Sequence, residues 1–241
     1  YKLFPFRDSD FLIRHFQFPC RISTHLFLRL LALVYLIAFA SLWPQIHGLI
    51  GSEGILPLPE TLTLIKERLG YSGIWQFPML FYIASSDTAL SIACAGGILL
   101  AITVLFRPGL WPGWFLLWVG YLSLSTAGRD FLSFQWDALL LETGFLTLFL
   151  IPLRSTPTHT PEPPALTANL YRWLLFRLIF ASGVVKLTSG DPTWRDLTAL
   201  TYHYQTQPLP NPIAWYAHQL PDTMQQLSCA GVLFIELLVP F

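Results

Sequence analysis

The sequence predicts an all-α membrane protein, a polytopic helical bundle with about six transmembrane spans. Hydrophobic residues make up 54% of the 241 residues and charged residues only 12%, whereas soluble domains carry about 25% charge. The mean hydropathy is +0.52. Nine tryptophans and 19 prolines fit interfacial belts and loops better than a soluble core. Apolar runs of bilayer-spanning length also recur along the whole chain.

Six such runs define the predicted spans. We expect residues 1–241 to form a single transmembrane bundle domain, with the first run an uncleaved anchor because no small-residue cleavage site follows it. The last run stops within an apolar stretch, so we expect that a natural C-terminal region is missing. The spans cover approximately residues 26–43, 89–106, 110–127, 132–151, 171–187 and 227–241.

Two long connections, 44–88 and 188–226, contain apolar pieces that are too short to cross a membrane. Residues 61–69 (TLTLIKERL) have a helical apolar stripe, and residues 73–84 are almost wholly apolar. Residues 207–221 place Pro, Trp, Tyr and His close together. These pieces predict interfacial or re-entrant amphipathic helices.

The basic residues of the connections indicate the orientation of the chain, since cytoplasmic loops are enriched in Lys and Arg. Seven fall on the side of the N-terminal arm, which we therefore expect in the cytoplasm. The opposite side has four: Lys66, Arg68, Arg129 and Arg195. The seven are Lys2, Arg7, Arg14, Arg21, Arg107, Arg154 and Arg172.

Apart from Arg172 at the edge of the fifth span, three acidic and three basic residues fall inside the predicted spans, where an uncompensated charge is costly. We therefore expect them to pair within the bundle. Their estimated depths pair Asp137 with Lys186, and the two arginines with the two glutamates. The six residues are Arg29, Asp137, Glu142, Arg177, Lys186 and Glu236.

Helical phase separates the two acids of the fourth span. At about 100° per residue, Asp137 and Glu142 differ by about 140°, so they face different neighbours and are not a catalytic pair. Gln135 shares a face with Glu142. Gly144 lies under Asp137 and allows a partner helix to come close, and Gly96 with Gly97 predicts a second packing patch.

Three interpretations of Lys186 stay open from the residues alone. It forms a structural ion pair, or its ammonium reaches the interface from a helix end. Alternatively it acts as a base in a low-dielectric pocket beside the small residues 181–183.

Several function classes lack support in the sequence. The formal net charge is zero, so no basic excess indicates nucleic acid. The six histidines show no metal-ligand spacing, and no dinucleotide or phosphate-loop fingerprint is present. We therefore predict no metal, no cofactor and no nucleic-acid partner.

Two long motifs carry a resemblance to a known family. FQWDALLLETGF (134–145) and RWLLFRLIFASGVVKLTSGDPTWRDLTALTYHYQTQPLPNPIAWYAHQLP (172–221) closely resemble the lipase maturation factor family, with further similarity at 38–57 and 235–240. The resemblance implies a polytopic endoplasmic-reticulum protein, or a bacterial inner-membrane one. Such a chaperone helps homodimeric secreted lipases to fold and assemble, through a large C-terminal region that engages the client.

A more distant resemblance links the fifth span to the transmembrane domain of vitamin K-dependent gamma-carboxylase. The F-x-A-G-V-x-K-L pattern is echoed from Phe180 through Ser182, Gly183 and Val184 to Lys186 and Leu187, and Asp191 and Trp194 follow after extra residues. The resemblance puts Lys186 at the position of the catalytic base. The histidine-bearing segment before it is replaced by FQWDALLLE, so we do not expect carboxylation.

We therefore predict a maturation factor for secreted lipases, in preference to an enzyme, with membrane lipids and a lipase client as partners. The competing hypothesis is an enzyme in which Lys186 is the base with Tyr202, His203 or Asp137 nearby. A third is a structural subunit of a complex with further membrane subunits. The predicted polar network comprises Arg29, Gln135, Asp137, Glu142, Arg177, Glu236, Asp191, Trp194, Tyr202 and His203.

Overall fold

The computed structural model of the protein describes residues 20–152, 164–207 and 211–241, and all its regular elements in these ranges are helical. Two helical segments there, Ile22–Leu42 and Asp87–Phe106, are long and apolar enough to cross a membrane. The all-α class is therefore observed. The other four spans, and the orientation of the chain, stay predictions.

Twelve α-helices lie in the described ranges, together with two short 3₁₀ segments, Leu80–Tyr82 and Arg129–Leu132. Each of the six apolar runs overlaps one of the six longest, α1, α5, α6, α7, α8 and α12. The helices are α1 Cys20–Leu42, α2 Ile46–Ile50, α3 Leu58–Leu69, α4 Ser72–Gln76, α5 Asp87–Phe106, α6 Trp111–Gly128, α7 Gln135–Leu150, α8 Ala165–Thr188, α9 Pro192–Arg195, α10 Ala199–Thr206, α11 Pro212–His218 and α12 Asp222–Leu237.

The chain divides into two compact units, Tyr1–Ala168 and Asn169–Phe241. In the first unit, α1 packs along α5, and α6 packs against both α5 and α7. The centre of this unit is a buried aromatic cluster in which the ring of Tyr121 stands perpendicular to that of Tyr35, 5.7 Å away, and edge-on to that of Phe39, 5.5 Å away. Edge-to-face contacts of this kind add stability beyond the area they bury.

Two glycines make room for the aromatic side chains of α1. A Cβ atom at Gly144 of α7 would overlap the hydroxyl of Tyr35, and one at Gly97 of α5 would overlap the ring of Phe39. The predicted close approach at Gly144 is confirmed, and its partner is α1. In the packing patch predicted at Gly96 and Gly97, only Gly97 is in close contact with a neighbouring helix. Nothing lies within 4 Å of a Cβ at Gly96.

Three side chains from α1 and α6 donate hydrogen bonds to backbone carbonyls of α7. The Tyr35 hydroxyl reaches the carbonyl of Leu140 at 3.1 Å, Trp118 Nε1 reaches that of Leu141 at 3.0 Å, and Trp111 Nε1 reaches that of Leu148 at 2.9 Å. These bonds satisfy donors that would be costly to bury alone. They also hold α7 in register with its neighbours.

The first long connection is helical but broken. The predicted amphipathic stripe lies in α3, whereas residues 73–84 form α4 and a 3₁₀ turn instead of one helix. Pro78 explains the break, because a proline disfavours the helical conformation of the preceding residue, and Phe77 has φ −127° and ψ 70°. At the other end of the connection, Asp87 of α5 accepts hydrogen bonds from the amide and the hydroxyl of Ser52, both at 2.8 Å.

In the second unit, α10 packs against α11 and α12. A small core of Ala199, Leu200 and Cys229 is covered by partly buried side chains that include Trp194. Gln225 of α12 is 2% exposed and donates to the carbonyl of Ala217 at 2.6 Å, which attaches α12 to α11.

We expect Gly144→Ala to lower the melting temperature of the purified protein in detergent. The added methyl group overlaps the Tyr35 hydroxyl, and overpacking of this kind costs about 1–3 kcal/mol, more than the roughly 1 kcal/mol of helix propensity that alanine adds.

Gly96→Ala is the matched control, because it makes the same change in an apolar helix at a site with open space. Its melting temperature should stay equal or rise. Equal effects of the two substitutions would contradict the close approach at Gly144.

Candidate functional site

The most polar arrangement of the second unit joins α8 to α12. Lys186 Nζ lies 2.7 Å and 2.8 Å from the two carboxylate oxygens of Glu236, and the two side chains are 23% and 19% exposed. Gly183 makes this approach possible, since a Cβ there would lie 2.8 Å from Leu237 Cδ2 and 2.9 Å from Glu236 Cβ. The glycine one turn before the lysine thus brings the carboxylate within reach.

Two further groups surround the ammonium of Lys186. The ring centroid of Trp194 is 5.2 Å from Nζ, within the range of a cation–π contact. The carbonyl of Ser182 is 3.4 Å away. A carboxylate, an aromatic face and a carbonyl therefore stabilise the positive charge of Lys186.

Asp191 positions the tryptophan. It is the N-cap of the short helix α9, and its Oδ1 accepts from the hydroxyl of Thr193 at 2.7 Å and from the amide of Thr193 at 2.9 Å. Pro192 follows at the first helical position, where its missing amide costs nothing. The hydrogen bonds from the Thr193 hydroxyl and amide lower the pKa of Asp191 below its ordinary value.

The expected pairing of Asp137 with Lys186 is wrong. Lys186 pairs with Glu236, and Asp137 Oδ1 instead accepts a 2.6 Å hydrogen bond from the hydroxyl of Tyr121. The pairing of both glutamates with arginines is therefore also wrong for Glu236. For Glu142 it stays a prediction.

These pairings are wrong because Glu236 of α12 packs beside the last turns of α8. Gly183 and Lys186 face Glu236, whereas Phe176 and Phe180, two to three turns earlier, contact the ring of Phe241. The end of α12 thus runs antiparallel to α8. Glu236 therefore lies level with Lys186, which explains why it pairs with the lysine and not with an arginine.

Asp137 occupies a separate buried site in the first unit. It is 3% exposed and lies in the first turn of α7, where the helix dipole favours a negative charge. Its Oδ1 is bound by Tyr121, and its Oδ2 is buried without a hydrogen-bond partner among the described residues. The sequence reasoning missed Tyr121, although a tyrosine in the middle of an apolar run was a signal for a buried polar partner.

The remaining predicted residues lie on outer faces of their helices. Gln135 and Glu142 are both exposed while Asp137 is buried, which confirms the predicted helical phase of α7. Arg29 and Arg177 are exposed on α1 and α8.

Tyr202 and His203 are exposed on α10. In the described part of the chain, neither of them is joined to Lys186 by a hydrogen bond. No group of three His, Cys, Asp or Glu side chains among the described residues could hold a metal ion.

Comparison with known proteins gives consistent matches. The family described as lipase maturation factor transmembrane domain matches residues 22–241. Lipase maturation factor 2 of Mus musculus is 47% identical over 236 residues, which cover 91% of this chain and 34% of that protein. Lipase maturation factor 1 of Homo sapiens is 34% identical over 239 residues, covering 89% of this chain and 39% of that protein.

The chain thus spans about a third of the length of curated relatives such as the lipase maturation factor 2 proteins of Mus musculus and Homo sapiens. No solved structure matches it significantly.

We expect a double-mutant cycle to detect coupling between Lys186 and Glu236. Lys186→Met or Glu236→Leu alone leaves one charge without its partner, whereas the double variant removes both charges. Coupling between contacting residues amounts to about 0.5–3 kcal/mol, and the partial exposure of both side chains keeps it below the value for a fully buried pair.

Thermal unfolding of the four proteins in detergent measures this coupling. Arg107→Met combined with Glu236→Leu is the control, because Arg107 lies in the other unit at the end of α5, and its effects should add. Additive effects of Lys186→Met and Glu236→Leu would contradict the pair.

Protection of α9 from hydrogen exchange should depend on the charge of Asp191. The pKa of Asp191 is lower in the folded protein than in the unfolded chain. The charged carboxylate therefore stabilises the start of α9 at pH values above its ordinary pKa, and this stabilisation is lost as the pH falls through the folded pKa. The protection factor of the Thr193 amide, corrected for intrinsic exchange, should therefore fall at pH values below about 4.

Asp191→Asn is the matched control, since asparagine caps helices equally well but does not titrate. Its protection should stay constant over the same range. A pH-dependent loss in both proteins would show that another group is responsible.

Proposed function

Because this chain belongs to the lipase maturation factor family and carries its transmembrane domain, we propose that it is the membrane-embedded part of a factor that assists folding and assembly of secreted lipases. The family match over residues 22–241 is the observation that carries this proposal. We further propose that it resides in the endoplasmic-reticulum membrane in a eukaryote, or in the inner membrane of a bacterium, as the family resemblance implies. The basic residues of the connections support an N-terminus in the cytoplasm.

The geometry of the polar residues supports a binding function over a catalytic one. A general base needs an accessible lone pair within reach of a substrate proton. Lys186 instead has both carboxylate oxygens of Glu236 and the face of Trp194 around its ammonium. Its contacts are those of an ion pair that joins two helices, so the gamma-carboxylase-like alternative is not favoured.

The second unit offers a surface for a protein client on α11. Ile213, Trp215 and Tyr216 are 73%, 62% and 68% exposed, and the two aromatic rings stand edge to face at 5.0 Å. Exposed Trp and Tyr side chains on a rigid support are the residue types that dominate binding energy at protein interfaces.

The support of this surface is rigid because α11 is attached to both neighbouring helices. Nε2 of His218 lies 2.6 Å from Nε2 of Gln205 on α10, and Gln225 of α12 binds the carbonyl of Ala217. We therefore assign client contact to the aromatic pair of α11, and we assign the Lys186–Glu236 ion pair to the stability of the unit.

The proposal is tested by co-expressing an affinity-tagged form of the protein with a secreted homodimeric lipase. Secreted lipase activity and co-isolated lipase are measured for the natural protein and for the variant Trp215→Ala with Tyr216→Ala. A loss of about 2 kcal/mol per hot-spot residue corresponds to roughly thirtyfold weaker binding, so both readouts should fall while the amount of protein in the membrane stays constant.

Trp75→Ala is the matched control, because Trp75 is 88% exposed but lies in the first long connection. Lys186→Met combined with Glu236→Leu should retain lipase maturation, since it removes both charges together. Loss of maturation in that double variant at normal melting temperature would overturn the structural role of the pair, and absence of any lipase response to the natural protein would overturn the proposed function.

A further inference from the structure

A cavity of about 660 Å³ opens within the first unit between α3 and residues 81–85, which lie between α4 and α5. Its volume lies in the range of about 300–1,000 Å³ that is typical of sites for small molecules. Apolar side chains from three elements form most of its wall, namely Leu62 and Ile65 of α3, Ile74 of α4, and Phe81 and Ile83 from the segment before α5.

One positive charge accompanies this apolar wall. Lys66 is the charged residue among those that line the cavity, and it is exposed. Within the described part of the chain, no carboxylate forms an ion pair with its ammonium. A mainly apolar wall with one available cation is complementary to an amphiphile that carries a negative headgroup.

The walls of the cavity are held in place by the fold itself. The hydroxyl of Tyr82 donates to the carbonyl of Gly73 at 3.2 Å, and burial raises the pKa of this phenol, so it stays protonated as a donor. The amide of Leu80 donates to Ser123 Oγ of α6 at 3.1 Å. Gly70, with φ +54°, makes the turn between α3 and α4 that few other residues could adopt.

The rim of the cavity has the composition of a membrane interface. Tyr71 and Ile83 line the cavity and are 92% and 88% exposed, and Trp75, which follows the lining residue Ile74 in α4, is 88% exposed. Tyr and Trp are enriched where a protein meets the headgroups of a bilayer. Ile83 lies four residues before Asp87, at which a helix long enough to span a membrane begins, so the rim lies near the end of that helix.

We propose that this cavity binds one acyl chain of an anionic phospholipid from the surrounding bilayer, with its phosphate group at Lys66. The aromatic rim and its closeness to the end of a membrane-length helix favour a bilayer phospholipid over a soluble ligand. The site shares no residue with the client surface on α11, since its lining comes from the first unit.

Photo-crosslinking in nanodiscs tests the proposal. The purified protein is reconstituted in phosphatidylcholine with a trace of diazirine-bearing phosphatidylglycerol or diazirine-bearing phosphatidylcholine, and adducts are assigned by peptide mass spectrometry. Adducts on cavity residues such as Leu62 and Ile74 are divided by adducts on exposed residues of α1 such as Leu30 and Ile37, which report ordinary lipid contact. This ratio should be about fivefold higher for the anionic probe, as expected for one basic group at a membrane surface.

Two variants distinguish the headgroup from the chain. Lys66→Gln should lower the ratio for phosphatidylglycerol to that for phosphatidylcholine, and Lys66→Arg should restore it. Ala84→Phe, which places a ring in the cavity, should lower the ratio for both lipids, while Ala138→Phe on an exposed face of α7 should not. Melting temperatures show that each variant is folded.

Equal ratios for the two lipids in the natural protein, or no effect of Lys66→Gln, would overturn the assignment of a net anionic headgroup to Lys66, since phosphatidylcholine carries the same phosphate but no net charge. A diazirine fatty acid that labels the cavity and is not displaced by excess phosphatidylglycerol would replace the phospholipid with a free carboxylate ligand. Protection of the cavity from every lipid probe by a co-expressed lipase would assign it to a protein client and likewise overturn the proposal.

Discussion

The first unit depends on Tyr35, whose ring enters the space between α6 and α7 and whose hydroxyl binds the carbonyl of Leu140. This insertion needs the absent side chain of Gly144, and the parallel insertion of Phe39 needs that of Gly97. Once both rings are in place, Tyr121 is fixed by edge-to-face contacts and its hydroxyl reaches Asp137. A buried carboxylate is thus held by a phenol whose own position is set by packing.

The second unit uses the same principle with a different pair. Gly183 lets the end of α12 approach α8, and the approach puts Glu236 against Lys186. The aromatic face of Trp194 stabilises the ammonium of Lys186 by a cation–π contact. In both units a glycine lets two helices approach each other. A charged side chain near that approach then has a polar partner, Tyr121 for Asp137 and Glu236 for Lys186, since an unpaired polar group is costly wherever water is excluded. Outside these packed contacts, the short helices of the connections have exposed aromatic side chains. These side chains form the proposed client surface and the rim of the proposed lipid site.

Much of the local structure could be predicted from the residues, because helical period, length and proline act within a few residues. The six apolar runs overlap the six longest helices, the phase of α7 separates buried Asp137 from exposed Glu142, and Gly144 is a point of close approach. The interruption at Pro78 was also visible in the sequence, although residues 73–84 were interpreted as one piece. The family motifs and their membrane character were likewise readable without coordinates.

The sequence by itself determined the helices, the buried face of α7 at Asp137 and the family, since each depends on the spacing of neighbouring residues. Only the tertiary structure decided the partners: Glu236 for Lys186 and Tyr121 for Asp137. Lys186 and Glu236 are 50 positions apart, so their contact depends on how far one helix is displaced along another. Each residue of displacement moves a side chain by about 1.5 Å and about 100°. An error of a few residues in the start of α12 therefore assigns its glutamate to the wrong level and the wrong partner.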